Sequence, residues 1–591
     1  MKAPAPASPP APQSSSTPGG PSPSGPPRSL VLALVGSGGD GVALLGDLIL
    51  NMAAQEGLYG MMVQSYGPQI RGGESAAIVR LSDTDVQYEG EQVDVLLCFR
   101  LRDLNRFRGY LRLHEGSAVL LDQGETAEIP EWLGAAASSP YRFPFARYED
   151  GVEVDGPPKN MLGLGILCRM LGWPSALAED TLRRRFPHRR ERLQQNLEAF
   201  ATGLAAQGAP ARPAPRGHGH GLFAETGNEA IARGAIASGL RFFAGYPITP
   251  SSEVMETLIE ELPAAGGRVV QAEDEIAAIG MVLGASFGGV PAMTATSGPG
   301  LSLMTEMVGL ASMAELPAVI VDCQRAGPAT GMPSRTEQSD LFHAIYGGHG
   351  DFPRAVLSVF DVVHAREAMY RAFLLAERFQ LPVMVLSDAY IAQRRQIRDP
   401  ETPRRNPPER LRYTGEGPAR FDLSGDHGVN PFRVPGDPGG TYLAAGIEHG
   451  PDGNPTADTA IHQRMNEKRF RKLAALAEET RYWFRTLGPA AATRGIVAWG
   501  SQYGLLREWI ALHPDTRVFL PEILHPFPIE AFTEWRRGLD SLAVVELNYQ
   551  GQFHRYLSSL VDIRGVRSIA RSGGVPLTAL ELDRFLAKEP A

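Results

Sequence analysis

The chain has only three cysteines in 591 residues, Cys98, Cys168 and Cys323, all far apart. No CxxC pair occurs, so neither a structural zinc nor a cysteine-ligated iron–sulfur cluster can be built from this chain alone. Any apolar run near the ~20 residues needed to cross a bilayer is also missing, which speaks against a membrane span. There is no concentrated Lys/Arg stripe and the net charge is -9; both argue against nucleic-acid binding. The first 28 residues lack the apolar segment of a secretory signal and the arginines of a transit peptide, so their Pro, Ala, Ser and Gly read as a disordered tail. A reducing cytoplasm is the expected compartment.

What is present is a soluble globular composition, 43% hydrophobic and 21% charged, too long for one core. Residues 29–205 alternate strand-like runs such as "SLVLALVG" and "VDVLLCF" with helical ones. Residues 206–222, "AAQGAPARPAPRGHGHG" with its neighbours, have linker chemistry. A second α/β run fills 223–395, with "RFFAGYPI", "AMTATSG", "AVIVDCQ" and "PVMVLSD" as strands. From 396 to 485 the pattern fails: Pro, Gly and charge suggest a segment wrapping over a surface, followed by the charged helix "HQRMNEKRFRKLAALAEETRYWFRTL". Residues 486–591 return to α/β. Strands alternating with helices predict several parallel-sheet domains.

Gly36-Ser37-Gly38-Gly39-Asp40-Gly41 is a GxGxxG turn between a strand and a helix. Glycines let a backbone approach a phosphate, and the helix N-terminus supplies N–H donors. A dinucleotide site should add an acid about 20 residues on. The second strand ends "VQSYG" without one, so an anion site and a plain tight connection remain the two readings. Arg71, in "YGPQIRGGESA", is placed to meet a phosphate and favours the anion site.

In "EDEIAAIGMVLGASFGGVPAMTATSGPG", Glu275 is followed by Gly280 and Gly284, which fall roughly on one side of a helix and admit a close neighbour. The triplet Glu273-Asp274-Glu275 alone is an ordinary acidic helix start. With "TATSGPG" added, the segment resembles the pyrimidine-binding domain of thiamine diphosphate enzymes. That resemblance gives Glu275, with Glu273 as fallback, the role of sharing a proton with the aminopyrimidine ring.

"GYPITPSSE" reads by itself as a strand end, two fixed-φ prolines and a Ser/Thr helix cap. With "QRAGPATGMPSRTEQSDL", "GIEHGPDGNP", "RMNEKRFRKL" and "ELNYQGQ", it resembles the α subunit of the 2-oxoacid:ferredoxin oxidoreductases. The Gly36 and "IRGG" region resembles the γ domain of that family, fused ahead of α. The resemblance implies a γ domain, a pyrimidine-binding domain and a C-terminal domain like that of transketolase. It implies that Thr249 faces the substrate, that Arg325 grips the 2-oxoacid carboxylate and that Ser334 stands where relatives have threonine. Tyr246, Pro247, Ile248 and Ser297 would line the cofactor with Glu275. Gly36, Ser37, Gly38, Gly39, Gly41 and Arg71 would contact coenzyme A.

The implied reaction is the CoA-dependent oxidative decarboxylation of a 2-oxoacid, reversible as carboxylation, with electrons passed to ferredoxin. The γ–α fusion points to 2-oxoglutarate; pyruvate and branched-chain 2-oxoacids are alternatives. No GDG…N motif is usable here, so Mg2+, the diphosphate site and the [4Fe-4S] cluster are expected in a β subunit, the whole being (αβ)2. Two rival readings are a non-redox thiamine enzyme and a non-catalytic subunit binding CoA or a nucleotide.

Overall fold

The computed structural model describes residues 29–66, 74–108, 111–149, 152–154, 156–400 and 405–587. The first 28 residues and Arg71 lie outside them. The strand Ser29–Ser37 is buried at every position after its first, as a central strand covered on both faces must be. It sits inside an eight-stranded sheet that runs, from one edge, through Tyr141–Phe143, Leu113–Asp122, Val93–Cys98, Ser29–Ser37, Glu74–Ser82 and Tyr59–Tyr66.

This sheet is mixed rather than wholly parallel. Successive strands Tyr59–Tyr66 and Glu74–Ser82 pair antiparallel, as strands joined by a short connection do. It also extends past the linker. Strands Arg395–Arg398 and Phe223–Thr226 add themselves to its far edge. The two ends of the central α/β unit are therefore built into the N-terminal sheet. Glu225 on Phe223–Thr226 fixes this join: it is fully buried and accepts from Arg366 Nη2 at 2.7 Å, Arg233 Nη1 at 3.0 Å and Arg398.

The second sheet has the order Arg268–Gln271, Phe242–Gly245, Ala292–Thr296, Ala318–Gln324, Pro382–Asp388, Ala355–Ser358, all parallel, with Ile523–His525 added antiparallel from the C-terminal region. The third has five strands, Phe484–Leu487, Thr516–Pro521, Arg494–Ala498, Ser541–Glu546 and Arg567–Ala570; only the first pairs antiparallel.

Residues 405–480 are less superficial than their composition suggests. Arg410, Arg420, Phe421, Phe432 and His449 are buried. The helix Thr459–Thr480 buries Lys468, Arg469 and Lys472 as well. Lys468 and Lys472, the latter at 2.7 Å, converge on the fully buried Glu315, with Arg420 at 3.8 Å. One carboxylate among three cations makes the burial of this charged face possible.

Candidate active site

Ligands of parallel α/β sheets gather beyond the carboxyl ends of the strands. Here four neighbouring strands deliver the sequence's four candidate strings to that edge. In sheet order, Arg268–Gln271 leads to Glu275, Phe242–Gly245 to Thr249, Ala292–Thr296 to Ser297, and Ala318–Gln324 to Arg325. The sheet thus brings Glu275, Thr249, Ser297 and Arg325 to one edge.

The acidic triplet divides its labour. Asp274 caps the helix Glu275–Phe287, accepting from the Ala277 N–H at 2.7 Å, and Glu273 is exposed. Glu275 alone is buried. It packs on the glycine turn after Thr296, so closely that a Cβ on Gly300 would lie 2.6 Å from Glu275 Oε1. Ser297, next to it, has a buried hydroxyl with no hydrogen-bond partner among the described residues. Gly284 has open space around it, and Ile276 and Met281 on the same helix are 49% and 41% exposed. A buried carboxylate, an unsatisfied hydroxyl and a glycine-lined approach fit the pyrimidine half of thiamine diphosphate.

In "YPITPSS" the Ile248 carbonyl gathers the chain: Ser251 N, Ser251 Oγ and Ser252 N all donate to it, at 2.9, 3.0 and 3.1 Å. Ser251 therefore does not cap the following helix with its side chain, contrary to the sequence expectation. The Pro250 carbonyl accepts from the buried Asn228 at 2.7 Å. Tyr246, Pro247 and Thr249 are exposed, and Ile248 is half-buried. Arg325 is 7% exposed and donates from Nη1 to the Thr249 carbonyl at 2.7 Å. Its Nε has no partner among the described residues. Burial lowers its proton affinity, and the carboxyl of Asp340 partly restores it.

Thr249 opens into a cleft of about 460 Å³ whose other wall is the start of the helix Val42–Gln55, with Ala43, Leu44 and Asp47. Ser334 lies elsewhere, in a cavity of about 50 Å³ between Ala76, Tyr390 and Gly574. Gln64 and Gln393 line both spaces, so Thr249 and Ser334 stand on either side of a common wall.

At the glycine turn, Gly41 has φ +76°, a conformation that favours glycine. The turn is partly filled by its own Asp40, whose Oδ2 accepts from Ser37 N at 2.8 Å. Lys159 and Arg100 each approach Asp40 at 3.5 Å. Ser37 Oγ donates to Asp103 at 2.7 Å. Two cations and a helix start thus surround Gly36–Gly41.

Sequence reasoning missed how the substrate loop is held. Gln338 is fully buried and bonds to the C-terminal region four times. Its N–H donates to the Leu547 carbonyl at 2.6 Å and its Nε2 to the Trp499 carbonyl at 2.8 Å. Leu547 N donates to Oε1 and Asn548 Nδ2 to its carbonyl, each at 3.0 Å. Gln552 adds Nε2 to the Ser339 carbonyl at 2.6 Å. "TEQSD" and "ELNYQGQ" are the two halves of one joint.

Comparison with known proteins bears on the whole chain. The family model described as pyruvate flavodoxin/ferredoxin oxidoreductase, thiamine diphosphate-binding, matches residues 233–468. That for pyruvate ferredoxin/flavodoxin oxidoreductase matches residues 31–206. The chain is 34% identical over 454 residues to 2-oxoacid:ferredoxin oxidoreductase 2, subunit alpha, of Aeropyrum pernix, covering 72% of this chain and 70% of that one. It is 29% identical to the 2-oxoglutarate oxidoreductase subunit KorA of Mycobacterium tuberculosis, over 95% of this chain and 91% of that one. Among solved structures it resembles the 2-oxoglutarate:ferredoxin oxidoreductase of Magnetococcus marinus, determined with 2-oxoglutarate, coenzyme A and succinyl-CoA bound. The TM-score is 0.84 at 33% identity, over 94% of this chain and 99% of that one.

Proposed function

The chain belongs to the 2-oxoacid:ferredoxin oxidoreductases as an α subunit, and from that premise we propose that it oxidatively decarboxylates 2-oxoglutarate to succinyl-CoA and CO2, with electrons passing to ferredoxin. The observation that carries this reading is the Arg325–Thr249 contact at the strand ends, on the same edge as a buried Glu275. The choice of 2-oxoglutarate is supported by the Magnetococcus relative, which was solved with that acid bound.

In this reading Arg325 binds the substrate carboxylate with the N–H groups not given to Thr249, and the tether to that carbonyl fixes the fork. The Thr249 hydroxyl orients the keto group from the cleft side. Glu275, buried at the Gly300 turn, shares a proton with the pyrimidine ring. Thiamine diphosphate, when bound, would supply the carbon nucleophile and accept the electron pair left by CO2.

Coenzyme A would approach along the cleft between Thr249 and the helix Val42–Gln55. Its phosphates would meet Gly36–Gly41, with Arg100 and Lys159 nearby and Arg71 as a further contact. Mg2+, the diphosphate site and a [4Fe-4S] cluster belong in this reading to a β subunit, with (αβ)2 as the assembly. The test is succinyl-CoA formation by the assembled enzyme from 2-oxoglutarate, compared with pyruvate, by kcat/KM. A clear preference for pyruvate would replace the substrate; no acyl-CoA from either acid would remove the reading.

A further inference from the structure

The strand Ala318–Gln324 is buried at every position, yet it carries Asp322. The Asp322 carboxyl lies near that of Asp340, close enough for the two charges to act on each other. Asp340 stands at the cap of the helix Leu341–Tyr346 without capping it. Its side chain turns instead to Gly298, where a Cβ would lie 2.7 Å from Asp340 Oδ2. Its backbone is fixed by N–H donation to Gln324 Oε1 at 3.1 Å. Among the described residues no N–H or hydroxyl donor reaches Asp322 Oδ1, Asp322 Oδ2 or Asp340 Oδ2.

Two carboxylates buried face to face without donors would repel each other and remain unsatisfied. One proton held between them relieves both problems. The groups around the pair are few. Arg325 and Glu337 act on Asp340 from its own loop, and the Cys323 thiol follows Asp322 on its strand. The helix Gly298–Met313 turns its N-terminus to the pair. Burial, and then the partner carboxyl, lift Asp322 well above the carboxylate range; burial lifts Asp340 to about 6. No ion pair within 4 Å joins Arg325 to a carboxylate among the described residues, so the charge on Asp340 acts on the guanidinium from beyond contact.

We propose that Asp322 and Asp340 form a proton-sharing pair that serves as the resident counter-charge of Arg325, so that a 2-oxoacid carboxylate binds with uptake of a proton by the pair. This rests on the reading of Arg325 as the substrate's carboxylate grip. On binding, the pair passes from one proton and one negative charge to two protons and none, and the proton comes from solvent. The charge near Arg325 is then carried by the substrate instead of the pair. Neither aspartate touches substrate; both are positioning residues. Since binding takes up a proton, affinity falls as pH rises above the pair's own range.

The test uses the assembled enzyme. Before thiamine diphosphate is added, 2-oxoglutarate and pyruvate are titrated in calorimetry at pH ~7 in two buffers of different ionisation enthalpy. After loading, the KM of the acid turned over is followed from pH ~6 to ~8. The wild type is expected to take up a proton on binding, with KM climbing by up to about tenfold per pH unit. Asp340→Asn and Asp322→Asn are each expected to take up none and to show a flat KM. No uptake by the wild type, or undiminished uptake in both variants, overturns the pair. If either variant fails to assemble, the wild-type proton count and KM slope still decide. Arg325→Ala separates the two readings. Lost substrate affinity there, with no proton uptake in the wild type, keeps the grip and removes the pair; unchanged affinity removes the grip and the pair with it.

Discussion

Arg325 holds the backbone carbonyl of Thr249 at 2.7 Å across 76 residues of sequence. Two loops of one parallel sheet, whose strands are separated by Ala292–Thr296, are thereby made into a single object, a guanidinium with its direction set by the turn it must serve.

Replacing Arg325 by alanine removes both the carboxylate grip and the tether. The expected loss in kcat/KM for the 2-oxoacid is about 2–5 kcal/mol, as when one partner of a buried charge contact is deleted. Lysine should recover only part of it, since a point charge cannot hold Thr249 and a carboxylate in one plane. Steady-state kinetics on the assembled enzyme measure this.

Glu275→Gln keeps the size and burial of the side chain and removes the proton it can share. The expected result is a fall in kcat of about 10²–10⁴-fold with the substrate KM little changed. A rise in KM alone would move Glu275 from proton transfer to substrate binding.

Gln338→Ala cuts the side-chain half of the joint between "TEQSD" and "ELNYQGQ". The loop that begins at Arg325 should loosen, raising KM for the 2-oxoacid several-fold. Gln338→Glu keeps the acceptor for Leu547 N–H and loses the donor to Trp499, so it should fall between wild type and alanine. KM values and melting temperatures for the pair of variants distinguish loop positioning from general destabilisation.

Glu225→Gln should destabilise the chain by about 3–5 kcal/mol, because Arg366 and Arg398 would be left without their carboxylate and Arg233 would keep only Glu261 and Glu229. Burial pushes the Glu225 carboxyl up, but the guanidinia, Arg366 foremost, outweigh it and hold it below its ordinary value. A depressed carboxyl stabilises the fold fully above the unfolded-state value, and that contribution fades as pH falls through the folded one. Thermal melts of wild type and variant should therefore differ most near neutrality and converge in acid.

Much of this was legible in the chain itself. Buried strands announce themselves as apolar runs, and the substrate and cofactor strings are short and contiguous, so Thr249, Glu275 and Arg325 could be named before any fold was known. What stayed hidden depends on distant partners. Gln338 meets Leu547 across 209 residues, and a lone glutamine carries no sign of that. Lys468 and Lys472 read only as part of a charged helix, because Glu315, which lets them be buried, lies about 150 residues earlier in sequence. The antiparallel half of the first sheet escaped because the parallel expectation came from strand–helix alternation, whereas the strands Tyr59–Tyr66 and Glu74–Ser82 lie only seven residues apart in sequence, too few for a parallel crossover. Asp322 had left a trace: a carboxyl inside an otherwise apolar strand asks for a partner, and Asp340 supplies it.

The most direct measurement is acyl-CoA formation and ferredoxin reduction from 2-oxoglutarate, by this chain alone, by the chain assembled with a cluster-bearing partner, and by that assembly carrying Arg325→Ala. The account predicts full turnover only in the second, none from the chain alone, and an Arg325→Ala assembly lowered by about 2–5 kcal/mol in kcat/KM. Full activity from the chain alone, or an Arg325→Ala assembly as active as wild type, would contradict it.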